Sequence, residues 1–300
     1  MRKNIRSGEI EALLRLLDEP DELYFSEIHD KLVSFGTDII PHLEYSFEMS
    51  SDALVQSRID EMIGIILFSD LKNGFRKWAS KKDVDLLNGM ILLARLSYPL
   101  LDVNRIFQQI EELRRDIWLE INPNLTMLEK IKVMNHVFFR IHAYQCEDVG
   151  SVVPGNFNIS DILEFRKGTS LSIGILYIVI CKMLQIPVLG IDFPGNFLLA
   201  YVNGRGEDRI SFLKENEVLF YINPYNKGAV FTRRDIEQFL VKIKLKPRPE
   251  FYQPCDNRKI INSLITNMHD TFNDHGMGDK LDKLKEISSI ITKDVTKKQY

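Results

Sequence analysis

The stretch "ILEFRKGTSLSIGILYIVICKMLQIPVLGIDFPGNFLLAY" runs from Ile162 to Tyr201. Its apolar pattern changes period midway. From about Ser170 to Leu184 the residues are apolar on every side of a helix, the mark of a helix buried all round. The uninterrupted apolar run ends at Lys182, and Gln185 and Pro187 follow. A membrane-spanning helix needs about 20 apolar residues, so this one is expected to be a core helix. Beyond Pro187 the pattern becomes that of strands, "PVLGIDF" and "FLLAYV", joined at the turn dipeptide Pro194-Gly195. Asn196 stands at that turn-to-strand junction. A histidine there could carry protons; an asparagine amide does not titrate near neutral pH.

Downstream, "DRISFL" and "EVLFYIN" read as two further strands and "NPYNKG" as a turn. The glycines of "NGRGED" (203–208) mark a hairpin loop; no Lys-Ser/Thr follows, as a phosphate loop would require. Thr232 with Asp235 opens a helix carrying Ile236, Phe239, Leu240 and Ile243. The three prolines of "KPRPEFYQPCD" (246–256) predict an extended linker. Helices at about 257–275 and 279–292 close the chain, joined by "GMGD". They resemble one tetratricopeptide-like unit, which cannot bury its face alone and is expected to pack on the body.

Upstream, residues 82–142 predict three helices. "VDLLNGMILLARLSYP" is apolar on most sides. The next helix spaces Val103, Ile106, Phe107, Ile110, Leu113 and Ile117 by threes and fours. In the third, Thr126 with Glu129 forms a capping box. A loop is expected over 143–157, then a short helix "ISDILEFRK" ended by Gly168. Residues 8–78 read as short helices broken at Pro20 and Gly36. Residues 9–48 resemble one HEAT-type repeat, and a plain helical bundle fits equally. Helices, one buried helix, an antiparallel meander and a final helix make an α+β protein, mostly helical.

Composition narrows the function classes. The 300 residues are 45% hydrophobic and 27% charged, those of a globular chain with an ample core. A net charge of −3 without a Lys/Arg run gives no electrostatic footprint for nucleic acid. Three widely spaced cysteines, Cys146, Cys181 and Cys255, do not make a disulfide framework, and the N-terminal stretch has no signal-peptide core. A cytoplasmic protein without a membrane segment is expected.

The order Arg166, Gly168, Ser172, Tyr177, Pro187, Gly190, Pro194, Gly195, Phe197, Pro224 and Gly228 resembles the SirB-type branch of the transglutaminase-like superfamily. The likeness covers roughly residues 83–292. It implies a papain-like core, a central helix against an antiparallel sheet, over residues 81–245. A helical, HEAT-like region at 1–80, the linker at 246–256 and the hairpin at 257–300 would flank it. Active members use a Cys at the start of the central helix, a His on a following strand and an Asp on the next. The matching positions here are Ser170, Asn196 and Asn223.

All three positions depart from the catalytic set. A serine hydroxyl needs an adjacent base, and asparagine is not one. Asn196 and Asn223 could keep a hydrogen bond across the strands in place of the His–Asp pair. The resemblance therefore implies a pseudoenzyme: a cleft formed by Gly168, Thr169, Ser170, Asp192, Asn196, Phe197, Asn223 and Tyr225 that binds a protein or peptide partner, with no cofactor and no metal. The alternative is a hydrolase or acyl transferase using Ser170, or Cys146 with His142, and a non-standard base such as His136, His142 or Asp192.

Overall fold

In the computed structural model residues 7–203 and 217–296 are described. The strand expected at "DRISFL" (208–213), and the "NGRGED" loop from Gly204 on, lie outside the described residues. The chain forms two compact units, residues 1–74 and 75–300.

The first unit is helical. Its elements are α1 (Ser7–Leu14), α2 (Glu22–Ser34), a 3₁₀ turn (Gly36–Ile39), α3 (Ile40–Met49) and most of α4 (Ala53–Ser80). Asp21 caps α2 by accepting from the amides of Leu23 and Tyr24. Gly36, with φ of +68°, lets the chain leave α2 through the left-handed region. Leu32, Ile39, Leu43, Ile59 and Met62 are buried together. Arg58 is also buried; it donates to the carbonyls of Leu17 (2.9 Å) and Glu19 (2.8 Å) and to the Glu22 carboxylate (2.9 Å). Its guanidinium lies 3.6 Å from the Phe25 ring centre, so charge, donors and stem all have partners.

In the second unit α5 (Leu86–Ala94), α6 (Val103–Glu120) and α7 (Met127–Asn135) come first. The Thr126–Glu129 capping box forms as expected, with both reciprocal bonds present. The helix predicted to run on to residue 142 changes at His136, where a π-helical turn spans His136–Ile141. β1 (Gln145–Cys146) then pairs in parallel with β2 (Lys167–Gly168), and α8 (Ile159–Phe165) lies between them in sequence. The central helix α9 (Ser170–Met183) is buried along most of its length. β3 (Val188–Phe193), β4 (Asn196–Val202), β5 (Val218–Asn223) and β6 (Ala229–Phe231) form one antiparallel sheet in chain order. α10 (Arg233–Lys242), α11 (Asn257–Asp274) and α12 (Gly278–Thr296) follow. The protein is thus mostly helical with a small antiparallel sheet, an α+β fold. No helix among the described residues is long and apolar enough to cross a membrane.

The sheet is covered on both faces, and strand alternation assigns the residues. Leu198, Ala200 and Val202 pack with Leu189, Ile191, Ile236 of α10 and Phe251. The residues of the opposite phase, Phe197 among them, face α9. The Phe197 ring fills the space above two glycines. A Cβ on Gly174 of α9 or on Gly190 of β3 would come within 2.5 Å of it. These glycines are needed for close approach, and the ring locks the start of β4 onto α9.

Three further local expectations differ from the structure. α8 ends at Arg166, in the left-handed region at φ of +62°, before Gly168 is reached. The Arg166 guanidinium bonds the Tyr144 hydroxyl and lies over that ring, contacts that hold a non-glycine residue in this conformation. Residues 246–256 are not an extended linker: Phe251 and Tyr252 are buried in the core behind the sheet, and the Cys255 amide donates to the Gly190 carbonyl at 2.9 Å. The expected 143–157 loop contains β1 and 3₁₀ turns at Val149–Ser151 and Pro154–Phe157.

Candidate functional site

The β1–β2 pairing builds the entrance to the site. Gln145 N donates to Arg166 O (2.9 Å) and Glu147 N to Gly168 O (2.8 Å), which brings the segment after Cys146 alongside the start of α9. Thr169 caps α9. Its hydroxyl accepts from the Ser172 amide (3.1 Å), and the Ser172 hydroxyl accepts from the Thr169 amide (2.9 Å). Ser172 in turn donates to the Asn156 carbonyl at 2.7 Å, tying the Pro154–Phe157 turn to the helix.

Ser170, the first residue of α9, opens onto a cleft of about 680 Å³. Thr169, Ser170, Asp192, Asn196, Phe197 and Tyr225 all line it. Gly168 and Asn223 do not. Gly168 is turned to Cys146 in the parallel pair, and a Cβ there would meet Ser172 Oγ at 2.6 Å, inside the packing behind the helix start. Asn223 Oδ1 accepts from the amides of Tyr225 (3.0 Å) and Asn226 (3.4 Å), so its side chain closes its own turn.

The expected Asn196–Asn223 hydrogen bond is therefore replaced by two local ones. The Phe197 amide is shared between Asn196 Oδ1 (2.9 Å) and Ser170 Oγ (3.4 Å). That amide is the hydrogen-bond partner of the Ser170 hydroxyl, and it cannot accept a proton.

None of the residues named as substitute bases is hydrogen-bonded to Ser170 among the described contacts. His142 Nε2 is 3.1 Å from Asp116 Oδ2. Asp192 accepts from the Ser263 hydroxyl at 3.3 Å and lies 3.5 Å from Lys259 Nζ. His136 is not in the cleft lining. Cys146 is half-buried beside Glu147, and burial pushes its thiol up to about 12, which leaves little of the reactive thiolate near neutral pH. Cys181, buried in α9, is also pushed well up by burial. Among the described residues no group of His, Cys, Asp and Glu is arranged to hold a metal ion.

Tyr225 reaches the cleft because its turn is pinned from below. Asn135 Nδ2 donates to the Gly228 carbonyl (2.7 Å), and the Tyr177 hydroxyl donates to Asn135 Oδ1 (2.9 Å). Gly228 has φ of +77°, and a Cβ there would collide with Asn135. At the rim the Tyr225 hydroxyl donates to Asp148 at 2.6 Å, joining the β5–β6 turn to the segment after β1. This bond to a carboxylate raises the tyrosine pKa.

Sequence reasoning did not find the contribution of α11. Its apolar stripe, including Ile261, Leu264, Ile265 and Met268, faces the core. Ser263, Asn267, Asp270 and Asp274, on a polar stripe of the same helix, line the cleft. The period was legible; the destination of the polar face was not.

A buried helix whose first residue opens onto a cleft at the edge of an antiparallel sheet, with the second strand starting beside it, defines a transglutaminase-like core. Residues 104–266, more than half of the chain, match the family model described as "Transglutaminase-like superfamily", and the chain belongs to that superfamily. Among curated proteins it is similar to a "UPF0162 protein" of Xylella fastidiosa (strain 9a5c), 21% identical over 211 residues, covering 65% of this chain and 69% of the relative. A "UPF0162 protein" of Buchnera aphidicola subsp. Baizongia pistaciae is 23% identical over 219 residues, 67% of this chain and 74% of the relative. One of Vibrio cholerae serotype O1 is 34% identical over 109 residues, 35% of this chain and 36% of the relative. In the Temecula1 strain of Xylella fastidiosa the match spans 64% of the relative, just under two thirds of its length. No solved structure matches the chain significantly.

Proposed function

We propose that this chain is a SirB-type member of the superfamily that has given up acyl-transfer chemistry and uses its cleft to bind a protein or peptide. Ser170, Asn196 and Asn223 stand at the nucleophile, base and orienting positions. The observation that carries the reading is the surrounding of the Ser170 hydroxyl. Among the described residues its hydrogen-bond partner is the backbone amide of Phe197. Among the described residues no carboxylate or imidazole is hydrogen-bonded to it to accept its proton. Loss of single members of a serine triad costs on the order of 10⁴- to 10⁶-fold in rate. The packing beside the cleft is close, with Phe197 seated on Gly174 and Gly190. The helical region at 1–80 and the hairpin at 257–300 are read as HEAT-like and tetratricopeptide-like modules of the same binding protein.

The test is a panel of amide, ester and transamidation substrates on the purified chain, with Ser170→Ala and Cys146→Ala alongside. Flat and identical traces for all three proteins are the expected result. Turnover that one substitution abolishes would make the chain a hydrolase or acyl transferase and name its nucleophile.

A further inference from the structure

We infer that the cleft takes an extended basic peptide in which Lys or Arg side chains alternate with apolar ones; this rests on the peptide-binding reading above. The cleft is a site by virtue of its volume and its place at the start of α9, and its lining decides what fits. Two parts of that lining differ in chemistry.

The first part is acidic. Asp192 stands at the end of β3, and Asp270 and Asp274 stand four residues apart on α11, one turn of the same face. Glu147 lines the cleft as well, and among the described lining residues there is no Lys, Arg or His. That is a local imbalance in a chain whose overall net charge is only −3. Lys259 answers Asp192 at 3.5 Å and Lys167 answers Glu147 at 2.8 Å, from outside the lining. His269 Nδ1 lies 3.6 Å from Asp270, and it adds a full charge only when protonated.

The second part is apolar and uncovered. Val149 is 90% exposed at the cleft rim, with Val152 next to it in the lining. A chain lying in the cleft would cover both valines, and Val149 has the most apolar surface to lose.

A free polyamine would satisfy the carboxylates and leave the valines bare. An apolar peptide would do the reverse and bring no cation to Asp270 and Asp274. An extended chain presents successive side chains to opposite sides, so alternating basic and apolar residues answer both parts at once. The Ser170 end of the cleft, at the start of α9, suits a peptide carbonyl, because the first amides of a helix have no partner within it.

The experiment measures binding of three labelled peptides to the full chain by fluorescence anisotropy. The peptides are Gly-Lys-Val-Lys-Val-Gly and its counterparts with Glu or Ser in place of Lys. The lysine peptide is expected to bind most tightly. Two exposed charge pairs correspond to roughly 2- to 30-fold in affinity, so Asp270→Asn with Asp274→Asn is expected to weaken it within that range. The Ser peptide should hardly respond to the same change. Asn267→Trp, an exposed position that would fill the cleft, should abolish binding of all three. If the Glu or Ser peptide binds as well as the Lys peptide, and Asn267→Trp removes that binding, the basic preference is overturned and the peptide cleft stands. If none of the peptides binds, or if binding survives Asn267→Trp, both readings fall.

Discussion

The base of the cleft and its rim are a few residues apart in sequence and built on different terms. At the base, Phe197 sits against Gly174 and Gly190 so closely that neither glycine could carry a methyl group without movement. At the rim, the neighbouring Asn196 and Ser170 share one backbone amide, at 2.9 and 3.4 Å. The base is fixed by volume and tolerates almost no change. The rim is held by bonds that other polar residues could make equally well. A superfamily can therefore keep its core while the groups above it drift, and the contrast is the structural side of the proposed loss of chemistry.

The sharpest way to break that comparison is at the base. Phe197→Ala should cost about 3–5 kcal/mol by chemical denaturation, as for other buried aromatic truncations. A loss below about 1 kcal/mol would mean that the ring does not anchor β4. Gly190→Ala should cost roughly 1–3 kcal/mol, because the added methyl meets Phe197 and Ile260. Asn135→Ala leaves the Gly228 carbonyl and the Tyr177 hydroxyl without their partner, at about 1–3 kcal/mol. It should also weaken any cleft binding, because it frees the turn that carries Tyr225.

Two half-buried thiols give a pH signature. Cys146 and Cys255 have an ordinary value of 9.0, and burial pushes each up to about 12. Above pH 9 the unfolded chain releases these protons while the folded chain keeps them. The unfolded state then binds fewer protons, so stability falls as pH rises from about 9 to 12. Denaturation midpoints should decline across that window, and Cys146→Ala with Cys255→Ala should flatten the slope. The smallest effects are predicted at the rim, where Ser170→Ala and Asn196→Ala should each lie within about 0.5 kcal/mol of the parent. A large loss at either position would erase the contrast between rim and base.

Much of this was readable from local spacing. Thr126 with Glu129, and the change of period after Pro187, needed only neighbours in sequence. The resemblance placed Ser170 and Asn196 side by side, and the cleft contains both. What could not be read depends on residues far apart. Nothing in "KPRPEFYQPCD" announces that Phe251 and Tyr252 are core residues, because three prolines dominate its composition. Arg166 ends α8 in a left-handed conformation that Tyr144, distant in sequence, supports. Asn223 has the side chain to reach across strands, yet its own turn supplies two closer donors. The polar stripe of α11 is visible as a period, and only the packing of the second unit makes it a cleft lining.

The most direct test of the central claim is an intact-mass measurement after the chain is incubated with activated esters and with glutaminyl peptides. An active transglutaminase-like centre would hold an acyl group on its nucleophile during turnover. An unmodified mass is expected with every substrate. An acyl adduct mapped to Ser170, and absent in Ser170→Ala, would show that the hydroxyl has a base and would contradict that claim.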